Sequence, residues 1–175
     1  MSKRRISFSP KKIALAAMLI AMSVIIGIFC KNFMNFALGL FRVTFENLPI
    51  ILAGIWLGPV VGGFVGVATD LISYLLSSQI YPPNLVVTLG AALIGIISGI
   101  VPYIVKKRGY TQIILSATVA HVIGSMIVKS IGLYQFYGIA VMWRIPLYVG
   151  IASIEICIMC FLYKNKNIRN LLEGL

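Results

Sequence analysis

Six ionisable residues stand in or beside apolar sequence, and their types suit holding an anion better than breaking a bond. Asp70, His121, Lys129, Arg144 and Glu155 interrupt long hydrophobic runs. Arg42 lies in FRVTFENLPIILAGIWLGP (Phe41 to Pro59), where an arginine, a glutamate and an asparagine abut an apolar stretch that ends in glycine and proline. A charge inside a bilayer costs at least about 2.5–3.5 kcal/mol, so such residues usually face the interior of a bundle and mark function. The cations Arg42, Lys129 and Arg144 all fall in the outer third of the spans defined below. A ring of cations at an outward mouth attracts an anionic ligand, and arginine grips a carboxylate through two parallel hydrogen bonds. The competing explanation is snorkelling, in which Lys129 and Arg144 merely reach the interface.

Asp70, His121 and Glu155 have a different reading. A histidine that titrates near neutrality, with two acids, has the parts of a proton relay. A hydrogen-bonded structural pair is the simpler account of His121 and Glu155. Asp70 is open between balancing Arg42 and touching a ligand. Other chemistry is missing from the sequence. There is no GxxxxGK[ST] phosphate loop, no HExxH and no GxSxG, so the chain carries none of these routes to ATP or to hydrolysis. Cys157 and Cys160 have CxxC spacing, but no further ligand type stands near them. With Cys30 they read as small apolar helix residues. No metal, cofactor or enzymatic activity is expected.

The elements that position these residues follow from composition. The 175 residues are 60% hydrophobic and 11% charged, with a mean hydropathy of +1.01. A soluble domain carries about 25% charged residues, so this chain reads as an all-α integral membrane protein. Its length suits one membrane domain over 1–175. Apolar runs predict six transmembrane helices at about 13–30, 48–57, 60–76, 85–105, 111–133 and 142–163. The second is short, and Pro49 suits its first turn. The N-terminal basic segment reads as the flank of a retained first span, since no cleavage site with a following soluble domain appears.

Eleven of the fifteen basic residues lie at the N-terminus, at Lys106-Lys107-Arg108 and after Tyr163. The opposite side holds Lys31, Arg42, Lys129 and Arg144. This asymmetry places both termini in the cytoplasm and excludes a nucleic-acid surface. Small residues recur at helical spacing: Ala14, Ala17 and Ala21 in the first helix, and Gly54, Gly58, Gly62 and Gly66 at every fourth position. Such faces admit close approach of another helix, either from this chain or from a partner. Gly62, Gly66, Asp70 and Tyr74 share one face of the third helix.

Taken together, these segments resemble the substrate-binding S components of energy-coupling factor (ECF) vitamin transporters, the folate-specific group in particular. The resemblance runs from Lys12 to Tyr163. It rests on the Ala17–Ala21 pair, NLPIILAGIWLGPVVGG (Asn47 to Gly63), Asp70, PNLVVTLGAALIG (Pro83 to Gly95), HVIGSMIVKSIGLY (His121 to Tyr134) and WRIPLYVGIASIE (Trp143 to Glu155). Where many S components carry an FPGFTLS-like stretch, this chain has YPPNLVVTLG, a departure from riboflavin- and thiamin-type pockets.

The resemblance implies a six-helix bundle in a bacterial cell membrane, with a vitamin pocket near the outer face under the loops. It implies a partner T subunit, docked on Ala14, Ala17 and Ala21, and two cytosolic ATPases, which alone use ATP. Folate combines a pterin, an aminobenzoyl ring and an anionic glutamate tail. Asn84, Thr88 or Asp70 would read the pterin edge. Arg42, Lys129 or Arg144 would meet the tail, and Phe45, Asn47, Tyr74, Trp143 and Tyr148 would complete the pocket. An S component for another anionic vitamin, and a small membrane assembly protein without a ligand, are the alternatives.

Overall fold

The computed structural model describes residues 9–36, 41–76, 83–105 and 109–165, with only the backbone of 35, 36, 41 and 42. The side chain of Arg42, the basic clusters at Lys3 to Arg5, Lys106 to Arg108 and Lys166 to Arg169, and residues 77–82 lie outside the described residues.

Every regular element among the described residues is helical, apart from a two-residue antiparallel pairing of β1 (Asn35–Phe36) with β2 (Phe41–Arg42). Helix α1 spans Pro10–Phe33. Proline suits the first helical position, where its missing N–H would be unpaired in any case. Its outer surface shows Met18, Ile25, Phe29 and Phe33. Large exposed apolar side chains on a helix of this length fit a lipid-facing surface. Four helical stretches are long and apolar enough to cross a membrane: Pro10–Phe33, Pro59–Leu76, Leu85–Ile104 and Tyr110–Lys164.

Helix α2 (Asn47–Leu57) is not among them. Eleven residues reach only about 16 Å at the α-helical rise, about half of the hydrocarbon core. Every residue from Asn47 to Gly54 is buried, so α2 is an interior wall. Gly58 turns the chain with a φ of 96°, and Pro59 opens α3 (Pro59–Leu76) at once. Helix α4 (Leu85–Ile104) lies against both.

The glycine stripes make that three-helix contact possible. A Cβ added at Gly62 would sit 2.5 Å from the Gly95 carbonyl oxygen, and one at Gly66 would sit 2.2 Å from that of Ala91. The obstructing atoms are backbone, which cannot rotate away as a side-chain end can.

The remainder is one continuous helical path with changes of pitch. Helix α5 (Tyr110–Ala120) widens into a π-helical segment over His121–Lys129, then narrows to α6 (Ser130–Tyr137). A 3₁₀ segment (Gly138–Trp143) leads into α7 (Arg144–Lys164), and Gly138 takes a φ of 56° at the bend. Helix α7 packs back on α5 and on the π segment. The two predicted spans at 111–133 and 142–163 are therefore joined by helical turns in place of the expected loop at 134–141. The core centres on Leu19, Ile50, Ile51, Ile94, Ala117 and Met159.

Candidate ligand site

One end of the bundle gathers the end of α1, the start of α2, the end of α3, the start of α4, the π segment and the start of α7. Lys31, in the last turn of α1, donates to the Ser73 carbonyl of α3 at 3.2 Å. Lys129 and Arg144 belong to the same end and are both buried, at 6% and 4% exposure. A snorkelling side chain would carry its charge outward. These two point inward instead.

Lys129 closes the π segment, a nine-residue departure of the helical ladder from the α pattern. Segments of this kind collect at functional sites. His121, Ser125 and Lys129 all lie on it, four residues apart, and all three are buried. The Lys129 ammonium donates to Asn47 Oδ1 at 2.9 Å and stands 3.6 Å from Glu46 Oε1. Asn47 Nδ2 in turn donates to Ser125 Oγ at 3.4 Å, and Ser125 Oγ is 3.4 Å from His121 Nδ1. His121 Nε2 meets Glu155 Oε2 at 2.7 Å. A polar seam thus runs from the segment before α2 to the middle of α7. His121 and Glu155 form a pair within it. Asp70 is elsewhere, so the three groups do not assemble as a relay.

Glu46 is anchored by several elements. The Ser23 hydroxyl of α1 donates to its main-chain carbonyl, and its own N–H donates to Thr44 Oγ1 at 3.3 Å. Its carboxylate fills the space that Gly27 leaves open, since a Cβ there would lie 2.8 Å from Oε2. Arg144 has the Tyr137 and Tyr148 rings at 5.9 and 5.6 Å from its guanidinium carbon, within cation–π range. The bend at Gly138 brings Tyr137 over an arginine seven positions later.

A second polar group joins α3 to α4. Thr88 Oγ1 donates to Asp70 Oδ2 at 2.6 Å. Asn84 caps α4, its Oδ1 accepting from the Val86 N–H at 2.9 Å, while its Nδ2 donates to the Gly132 carbonyl at 2.6 Å. Asp70, Tyr74, Asn84 and Thr88 are half-buried, as is Phe45; Asn47 and Tyr148 are buried, and Trp143 is exposed.

The structure brings Asn47 to Lys129, Arg144 to Tyr148, and Asp70 to Thr88. Sequence reasoning missed Glu46 as a partner for Lys129, along with Ser23, Gly27 and Tyr137. One signal was available for Glu46. The chain has only four acidic residues, and each acid in an apolar chain needs a partner. Ala14, Ala17 and Ala21 are exposed along one side of α1, and Ala17 borders an apolar groove against Val60 and Phe64 of α3. Among the described residues, no three His, Cys, Asp or Glu side chains converge on a point that could hold a metal ion.

A family model described as "ECF transporter, substrate-specific component" matches residues 11–169. A solved structure described as "Crystal structure of FolT bound with folic acid" is 26% identical to this chain, with a TM-score of 0.63. The match covers 88% of this chain and 90% of that one. No curated protein matches.

Proposed function

The chain belongs to the family of ECF transporter substrate-specific components, and from that premise we propose that it captures folate at the outer face of a bacterial cell membrane. The observation that carries this reading is the likeness, over 88% of the chain, to a protein whose solved structure holds folic acid. In this reading the chain is a single membrane domain of six spans with both termini in the cytoplasm. The short α2 counts as the second span, and the bend at Gly138 separates the fifth from the sixth. It has no enzymatic activity. It delivers folate to the cytosol with a T subunit and two ATPases, which consume the ATP.

The ligand enters the end of the bundle where Lys129 and Arg144 are buried. Arg144, framed by Tyr137 and Tyr148, receives the glutamate tail, and Arg42 is a second cation for its carboxylates. Phe45, Asn47, Asp70, Tyr74, Asn84, Thr88 and Trp143 form the rest of the enclosure, and Lys129 contacts the ligand from below. The exposed alanines Ala14, Ala17 and Ala21 take the T subunit, because a row of small side chains admits close helix approach. Titration of the purified protein with folate, followed by quenching of its two tryptophans, tests the reading. Submicromolar binding is expected, and absence of binding below micromolar folate would overturn it.

A further inference from the structure

We infer that Glu46 and Lys129 together read the hydrogen-bonding edge of the ligand's ring system, so that Lys129 serves the uncharged head and not the anionic tail. The inference rests on the folate reading above and deepens it.

The argument begins with unused hydrogen-bonding capacity. An ammonium carries three donors, and among the described residues the only hydrogen bond from Lys129 goes to Asn47. Its 3.6 Å separation from Glu46 exceeds hydrogen-bond length and leaves a charge contact only. The side chains of this pair are 7% and 8% exposed. A buried ammonium with one good acceptor is incompletely satisfied, and an incoming acceptor atom is the natural complement.

The second step decides which acceptor. A ligand carboxylate brought to Lys129 would meet the Glu46 carboxylate at the same place, and two carboxylates sharing a site repel. Glu46 cannot retreat easily. Its backbone is bound to Ser23 and Thr44, and its carboxylate is seated in the space left by Gly27. An uncharged acceptor flanked by donors suits both groups. The 2-amino-4-oxo ring edge of a pterin presents an amino N–H, a ring N–H and an oxo oxygen in a row. A carboxylate accepts from the two N–H groups, and a neighbouring ammonium donates to the oxygen. Glu46 and Lys129 stand side by side with this polarity. The glutamate tail then falls to Arg144, which the Tyr137 and Tyr148 rings frame.

Competitive binding of folic acid and of its analogue with an amino group in place of the ring oxo group tests the inference on the unaltered protein. The analogue turns a donor towards the ammonium. Folic acid should bind more tightly by about tenfold to a hundredfold, the range for a charge-assisted hydrogen bond. Lys129→Gln supplies an amide oxygen that accepts from the amino group, and it should narrow or reverse that preference. Glu46→Gln should weaken both ligands while leaving the effect of removing the glutamate tail unchanged. Equal affinity for the two compounds in the unaltered protein would overturn the inference, as would an unchanged preference in Lys129→Gln. Failure of the unaltered protein to bind folic acid at all would instead overturn the folate reading.

Discussion

The block formed by α2, α3 and α4 and the polar seam linking the pre-α2 segment to α7 solve one problem by opposite means. Between helices in lipid there is no hydrophobic drive to associate, because hydrocarbon tails are as apolar as leucine. The block answers with missing side chains: Gly54, Gly62, Gly66, Gly95 and Gly99 let backbones touch. The seam answers with paired polar groups, from Glu46 through Lys129, Asn47, Ser125 and His121 to Glu155. The first arrangement is intolerant of added volume. The second is intolerant of a lost partner. A ligand site belongs with the second, because a polar group can exchange one partner for another while a backbone contact cannot be traded.

Adding volume to the block should have the largest effect. Gly95→Leu would drive a Cβ to within 2.0 Å of the Gly62 carbonyl oxygen. The expected loss is about 4–5 kcal/mol, the exceptional end of the range for single substitutions, seen as failure to recover folded protein. Gly150→Leu, where nothing lies within 4 Å, should unfold in detergent at the same temperature as the unaltered chain. Equal effects at the two positions would break the distinction between block and lipid-facing surface.

Removing a partner from the seam comes next. Glu155→Ala leaves the His121 imidazole buried without its carboxylate, and about 3 kcal/mol of stability should go with it. Glu155→Gln keeps an acceptor for the imidazole and should cost less, which thermal unfolding of the two variants resolves. Arg144→Ala tests the exchangeable end. It should weaken folate by about tenfold or more and leave a pterin lacking the glutamate nearly unaffected. An equal loss for both compounds would remove Arg144 from the tail.

The smallest effect on stability is expected outside both regions. Replacing Ala17 and Ala21 by leucine changes an exposed face of α1 and should alter stability and folate binding by less than about 0.5 kcal/mol. Uptake by cells that carry the complete transporter should nonetheless stop. Loss of binding as well would mean that the alanines support the fold of this chain itself.

Much of the helical architecture was legible because its signals are local. Apolar runs of sufficient length mark helices in lipid, and Gly58-Pro59 marks the reversal between α2 and α3. The π segment left no such mark. HVIGSMIVK has ordinary helical composition, and its widened pitch depends on what packs against it. The expected loop at 134–141 also proved to be helical turns, because the aromatic composition that suggested a loop does not oppose a helix. At the candidate site, Asp70 and Thr88 were both chosen for polarity in apolar sequence, yet nothing local tells that one accepts from the other.

By itself, the sequence determined that this is a membrane protein, that it is helical, and which family it resembles. A chain with 60% hydrophobic and 11% charged residues cannot cover a soluble surface, and only internally bonded backbone is stable in lipid. The tertiary structure decided how the few charges are shared. Asn47 and Lys129 lie 82 positions apart, and Glu46 stands beside that contact where α1 presents Ser23 and the vacancy at Gly27. Charge pairing depends on separations of a few ångströms. Such separations between distant parts of the chain exist only after the helices have packed.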